Sequence, residues 1–328
     1  DKIFIISSIF GGTGASGFPL LRRVLHTQNI KTANGQELMN WGQINEAPLG
    51  AITVLPYFSV KEKKVGDDSF VDSNTFIDKA KAALSYYVTE DKHLDTMYYI
   101  GDKNVRAYEH EKGGTVQRND AHFVELAAAL AVLDFVNPNK TAENFHRNNN
   151  EIVETTYKEF GIVPNGQAGD VSVISFANLA DETKRTLINP LTRFLLFHKY
   201  LKKIFENQYK KQPYARKNAA HQRFDEKFIN TEIIKKVTEV QDRFFDWLVE
   251  MENQTRQFAP FILEDDGKFN FIRDNINAVR KSLLYKNWAL LDNELNRQAP
   301  KINKELTDEG RFLELFYRAT EKVINFKN

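Results

Sequence analysis

The chain predicts an α/β protein in which a parallel-sheet domain is followed by a mainly α-helical one. Three features carry that expectation. Between residues 2 and 137, short β-branched runs alternate with helix-like stretches, a pattern that requires crossover connections and therefore parallel strands. A glycine-rich segment, Gly11–Gly17, follows the first of those runs directly. From residue 181 onward, long charged stretches of helical period replace the strand-like runs.

Lys2–Phe10 reads as the first strand and Phe18–Thr27 as the helix after it. Leu49–Val60 is the second strand. Asn74–Val88 is a helix, with Phe76, Ile77, Ala80, Ala83, Leu84 and Tyr87 along one face, and Thr96–Gly101 is the third strand. A helix over 119–136 opens on Asn119 and Asp120, both good N-cap types, and ends where Pro138 excludes the helical conformation for Asn137. It is apolar on nearly every side, so it is expected to be buried. Residues 1–137 thus form the first domain, 138–180 a connecting segment with one strand at Val171–Phe176, and 181–328 a helical domain. Its helices are expected over 181–208, 216–256, 271–298 and 302–326, with breaks at Pro213, Pro260, Asp265-Asp266-Gly267 and Pro300. Phe244, Phe245, Trp247, Leu248 and Met251 recur at helical spacing and are expected to pack against neighbouring helices.

Gly11–Gly17 carries the strongest functional signal. Strand, glycine-rich turn and helix together make an anion site, because glycine lets the backbone come close to a phosphate and tolerates positive φ, and a helix N-terminus offers free N–H groups and a positive dipole end. Gly11, Gly12, Thr13, Gly14, Ser16 and Gly17 are the expected phosphate-binding residues, with the Thr13 and Ser16 hydroxyls adding a hydrogen bond or a Mg²⁺ contact.

Composition narrows the classes. The chain has 328 residues, 42% of them hydrophobic, enough for two cores. Lys plus Arg number 45 against 44 for Asp plus Glu, so no global field draws the protein to nucleic acid or anionic lipid. The absence of cysteine excludes a disulfide framework and thiolate zinc, and fits a reducing interior; the cytoplasm is the expected location. No apolar run has the length of a membrane span, and no targeting segment is read at the start.

The order strand, Gly11-Gly12-Thr13-Gly14, helix, then a strand ending in Val54-Leu55-Pro56-Tyr57-Phe58, then helix, strand and a long apolar helix resembles the nucleotide-binding domain of the tubulin/FtsZ superfamily over about residues 1–137. The resemblance implies a Rossmann-like fold, GTP or a related nucleotide held by the glycine loop with Mg²⁺, and base contacts from Asn119 and Asp120 at the start of the long helix. It also implies GTP hydrolysis by an acidic group after that helix, for which Asp134 is the available carboxylate, and self-assembly or membership of a larger complex. Family members carry three strands with their own glycine-rich loops before this point, so the resemblance implies that those elements are missing here.

Two other function classes fit parts of the sequence. Gly11-x-x-Gly14-x-x-Gly17 also matches the dinucleotide fingerprint of short-chain dehydrogenase-like Rossmann proteins, whose Tyr-x-x-x-Lys pair has a counterpart in Tyr108 and Lys112, within a loop-like stretch. A non-catalytic helical scaffold, its glycines merely turning the chain, predicts no nucleotide binding. Of the histidines, His110 among Glu109 and Glu111 reads as a solvated charged loop, and His122 with Glu125 as a His-x-x-Glu pair lacking a second copy. Residues 200–223 mix Lys202, Lys203, Lys210, Lys211, Arg216, Lys217 and Arg223 with Tyr200, Tyr209 and Tyr214; a solvated linker is expected, a nucleic-acid contact being the alternative. The helical domain is expected to make protein contacts.

Overall fold

The computed structural model describes residues 1–26, 31–36, 41–61, 72–90, 94–103, 106–110, 118–137, 147–148, 151–152, 154–159, 171–205, 211–215, 224–264, 271–284 and 288–326. The chain divides into two compact units, Asp1–Gly161 and Ile162–Asn328.

The first unit is α/β. Strands β1 (Ile3–Ser8), β2 (Leu49–Val54), β4 (Thr96–Ile100) and β6 (Thr156–Glu159) form a four-stranded sheet in the order β1-β2-β4-β6. Every pairing in it is parallel, with Ile5 opposite Ala51, Ala51 opposite Met97 and Met97 opposite Tyr157. A small parallel pair, β3 (Phe58–Val60) with β5 (Arg106–Tyr108), stands apart from this sheet. The first unit extends beyond residue 137 because β6 returns to the sheet beside β4. Buried Asp95 fastens the strand starts: its carboxylate accepts from Leu49 N–H at 2.7 Å, and its carbonyl accepts from Thr156 N–H at 3.1 Å.

Alternation along the strands sends side chains to two cores. On one face Ile5, Ile9, Leu49, Ala51 and Met97 pack with helices α1 (Gly12–His26) and α3 (Phe76–Glu90), and the short α2 (Trp41–Glu46) precedes β2. On the other, Phe4, Ile52, Tyr98 and Ile100 meet α4 (Phe123–Val136) through Val124, Ala128, Ala131 and Phe135. Gly50 lets α4 lie close, since a Cβ there would come 2.7 Å from the Phe135 ring. Lys2 Nζ donates to the carbonyls of Phe135 and Asn137, fixing the C-terminal end of α4 beside the start of β1. The helix therefore begins at the carboxyl end of the sheet.

Several expectations are corrected here. The first helix begins at Gly12 instead of Phe18, so most of the glycine run is helix and not loop. The expected strand Leu49–Val60 breaks at Leu55-Pro56-Tyr57, where proline lacks the N–H a ladder needs, and its last three residues pair with β5. The long apolar helix takes His122 as N-cap, not Asn119 or Asp120. It is buried on one stripe only: Leu133 is 59% exposed on the side away from the sheet.

The second unit is mainly helical, with α5 (Asp181–Phe205), α6 (Glu226–Ile229), α7 (Glu232–Glu252), α8 (Trp288–Gln298) and α9 (Asp308–Val323). The strand expected at Val171–Phe176 belongs to it, shortened to β7 (Val173–Ile174) and paired in parallel with β8 (Gln257–Phe258). The helix expected over 271–298 starts at Trp288. Before it, Asp274 takes the left-handed conformation (φ 62°), Ile272 bridges Phe261 and Val279 bridges Ile324. The short polar side chains of this Asp/Asn-rich stretch compete with the helix for backbone groups. The expected helix 216–256 likewise separates at Asn230-Thr231 into α6 and α7, each with its own N-cap position, Asp225 and Thr231. No described helix is long and apolar enough to cross a membrane.

Candidate functional site

The site is built from the residues where β1 passes into α1. Ser8 ends the strand, Ile9 and Phe10 turn inward and are buried, and Gly11 stands immediately before the first helical residue. The first bond of the helix runs from Ala15 N–H to Gly11 C=O at 3.1 Å. The amides of Gly11, Gly12, Thr13 and Gly14 find no acceptor among the described residues. Gly11 has no side chain with which to cap them, and the first turn holds no acidic residue. The end of α1 is thus electropositive and unclosed.

One glycine explains how the helix comes so near the strand. A Cβ on Gly14 would sit 1.9 Å from the carbonyl oxygen of Ser8, an impossible contact, so only glycine allows the first turn to rest on the end of β1. Ser7 Oγ donates to Gly14 C=O at 3.0 Å and Tyr87 Oη to Ala15 C=O at 2.7 Å, holding that turn from both sides. Gly11, Gly12 and Gly17 are different: a Cβ at any of them meets nothing within 4 Å. None of the four adopts positive φ, so the conformational reason expected for them does not apply; close approach does, at Gly14. Ser16 lies one turn into the helix, where its hydroxyl donates to Gly12 C=O at 2.8 Å, and Gly17 lies in the second turn. The structure therefore brings Gly11, Gly12, Thr13 and Gly14 together as amide donors and sets Ser16 and Gly17 behind them.

The start of α4 shares the carboxyl end of the sheet and has the opposite character. His122 Nδ1 accepts from Val124 N–H at 3.1 Å, while the Glu125 carboxylate accepts from His122 N–H, forming a capping box. Accepting at Nδ1 places the imidazole proton on Nε2, which faces buried Asp102 Oδ2 at 3.6 Å. Tyr57, from the Pro-aromatic turn after β2, lays its ring against His122 at 5.2 Å between centroids and donates its hydroxyl to Glu125 Oε1 at 3.0 Å. Burial first and the Glu125 carboxylate second raise the Tyr57 phenol well above its ordinary value, so it stays a neutral donor. The rings of Phe10, Tyr57, Phe58 and Phe76 pack edge-on and tilted between the two helix starts. The sequence marked Tyr57 through the Pro-aromatic pair and noticed His122 and Glu125 as a His-x-x-Glu pair lacking a second copy, but not as a helix cap. Among the described residues no group of three or more such side chains is placed to hold a metal.

The remaining expected residues are placed elsewhere. Asp120 forms an ion pair with Arg106, and it lies with Asn119 just ahead of the α4 cap, at the carboxyl end of the sheet. Asp134 belongs to the last turns of α4, about 16 Å along the helix from its start. There its carboxylate accepts from Tyr98 Oη at 2.6 Å and from Lys158 Nζ at 2.8 Å, joining the helix to β4 and β6. It is a structural tie and is not gathered with the glycines. Glu111 and Lys112 lie outside the described residues, as do Lys210, Arg216, Lys217 and Arg223. Of the aromatics in the basic stretch, Tyr200 and Tyr214 are buried, share a 2.7 Å hydrogen bond and, through Tyr200, hold Asp292, so neither is available to stack on a base. Lys202 pairs with Asp242 at 2.7 Å.

A cavity of about 830 Å³ opens on the α3 side at the carboxyl end of the sheet, lined by Leu55, Phe76, Lys81, Tyr99, Lys103 and Tyr157 among others; Gly11, Gly12, Gly14 and Gly17 do not line it. Comparison with family models, with curated proteins and with solved structures gives no match to this chain.

Proposed function

We propose that the first unit binds a nucleotide, GTP or a close relative, through its phosphates at the start of α1. The observation that carries the reading is the Gly14–Ser8 contact. It seats an uncapped helix end directly on a strand of a parallel sheet, with the amides of Gly11 through Gly14 finding no acceptor among the described residues and open space beyond Gly11 and Gly12. Parallel sheets place ligands at the carboxyl ends of their strands, where this turn lies. Helix N-termini take phosphate through the same donors.

In this reading the amides of residues 11–14 hold the phosphates, and the Thr13 hydroxyl would add a hydrogen bond or a contact to an accompanying Mg²⁺ ion. Asn119 and Asp120, at the same end of the sheet, are the base-side residues. The element order and the helix crossing the opposite face support the tubulin/FtsZ-like form of the proposal. Asp134 is engaged at the far end of α4, so the proposal covers binding and not hydrolysis. The dinucleotide alternative is less well supported, because its fingerprint puts the close helix–strand approach at the last glycine. Here Gly14 makes that approach, and nothing approaches Gly17.

The test is thermal unfolding with GTP, ATP, NAD⁺ and NADP⁺, each with and without Mg²⁺, on the wild type and on Gly12→Glu. A ligand bound only by the folded state raises the midpoint by mass action. A GTP-selective rise that disappears in the variant is expected. A rise confined to a dinucleotide moves the assignment to the dehydrogenase-like class, and no rise with any ligand leaves the scaffold.

A further inference from the structure

The cavity of about 830 Å³ on the α3 side has the size of a small-molecule site, and its walls restrict the chemistry of what fits. Its floor is the sheet. Met97 and Tyr99 of β4 both pack on the α3 face, and Tyr157 of β6 stands opposite Met97, so the two tyrosine rings rise from that same face. The rings lie nearly parallel, 12° apart with centroids 6.2 Å apart, and both line the cavity. The facing wall is one stripe of α3, in which Ile77, Ala80, Lys81 and Leu84 recur at helical spacing. Phe58 and Phe76, ring edge to ring face at 6.2 Å, add a second aromatic pair to the lining.

Two of these side chains are large and left in the open: Ile77 is 59% exposed and Tyr157 56%. Scattered singly, exposed apolar groups are ordinary, but these two border one concavity. The charged lining residues are unequal in sign. Asp102 is buried, and its carboxylate turns to the α4 cap, 3.6 Å from His122 Nε2. Lys158 Nζ is held by Asp134 at 2.8 Å. Lys81 of α3 and Lys103, from the segment after β4, are both exposed. Lys81 forms no ion pair among the described residues. The interior is therefore aromatic and aliphatic, and the charge on its exposed lining is positive.

We propose that this cavity binds a small planar aromatic compound bearing an oxyanion, its ring against Tyr99 and Tyr157 and its carboxylate or phosphate at Lys81, with Lys103 adding to the field. An aromatic ring gains from the tyrosine rings both by removing their surface from water and by ring-to-ring attraction. It also covers Ile77, which lies one turn of α3 from Lys81 and so beside the charge. Lysine suits either oxyanion, because an ammonium is a point charge and does not demand the paired geometry of a guanidinium. Gly11, Gly12, Gly14 and Gly17 are absent from the lining, so the cavity is a second site, and its occupancy does not depend on a nucleotide at α1.

Isothermal titration of the full chain with four probes reads the site: indole-3-acetate, indoxyl phosphate, the uncharged indole-3-acetamide and the saturated cyclohexylacetate. At least one indole acid is expected to bind, the tighter of the two naming the oxyanion, with the amide and the saturated acid each weaker by about 10-fold. Lys81→Gln is expected to bring that acid down to the level of the amide and leave the amide unchanged. Tyr157→Ala is expected to weaken acid and amide alike by about 10-fold. Both replaced side chains are exposed, and circular dichroism checks that each variant is folded. Saturating GTP with Mg²⁺ is expected to leave the indole titration as it was. Absence of binding by either indole acid overturns the proposal, as does an amide or a saturated acid that binds equally well. So does a Lys81→Gln variant that still prefers the acid, a folded Tyr157→Ala variant with undiminished affinity, or displacement of the probe by GTP.

Discussion

Helices α1 and α4 both begin at the carboxyl end of the sheet in the first unit, and their first turns are finished in opposite ways. At α4 the chain supplies a side-chain cap: His122 and Glu125 close the box, Tyr57 braces the glutamate, and Asp102 faces the histidine. At α1 the described residues provide none, and glycine stands where a capping side chain would be. A helix start that needed only to be stable would resemble α4. Without a side-chain cap α1 forgoes about 1 kcal/mol of stability that the box contributes at α4.

The sharpest way to break this comparison is at Gly14. Gly14→Ala forces a methyl group into the Ser8 carbonyl and is expected to destabilise the first unit by about 3 kcal/mol or more in urea unfolding. Gly12→Ala, with open space around its Cβ, is expected to change stability by less than about 1 kcal/mol. Equal costs at the two positions would remove the distinction between a packing glycine and an opening one.

Next in size is the α4 cap. His122→Ala removes the acceptor for Val124 N–H and is expected to cost about 1–2 kcal/mol, measured by the same unfolding curves. Nucleotide binding at α1 is expected to survive. Tyr57→Phe deletes the hydroxyl bonded to Glu125 and is expected to cost about 1 kcal/mol.

The smallest effect concerns pH. The Tyr57 phenol has its pKa raised by burial and by Glu125, so the stability it contributes is fully present below its unfolded value of 10.0 and is lost as pH rises through the higher folded value. Wild type is therefore expected to lose stability more steeply than Tyr57→Phe above about pH 10, seen in thermal midpoints across an alkaline series. Parallel curves would mean that the phenol is not held neutral by its surroundings.

How much of this was legible in sequence differs between the two helix starts. The strand, the glycines and the following helix were visible at α1 because glycine and β-branched residues are strong local signals. What was hidden was where the helix begins. Propensity excludes Gly12-Thr13-Gly14 from a helix, whereas the packing of Gly14 on Ser8 draws them in, and that partner is a matter of tertiary geometry. At α4 the capping residue was missed because Asn119 and Asp120 are better N-cap types than histidine. Arg106, from a strand that local pattern did not reveal, engages Asp120 and leaves His122 to cap. The sheet's fourth strand, Thr156–Glu159, escaped notice because Thr-Tyr-Lys-Glu alternates weakly, and it is a strand through its pairing with β4. Asp134 drew attention as a lone carboxylate at a helix end; its ties to Tyr98 and Lys158 come from two strands that only folding brings to it.

The comparison is tested most directly by the amides themselves. In protein labelled with ¹⁵N at glycine and valine, addition of GTP with Mg²⁺ is expected to move the resonances of Gly11, Gly12 and Gly14 while Val124, already bonded to His122, stays in place. Unmoved glycines at saturating nucleotide, or shifts centred on Val124 and the α4 cap, would contradict the claim that the open start of α1 is the phosphate site.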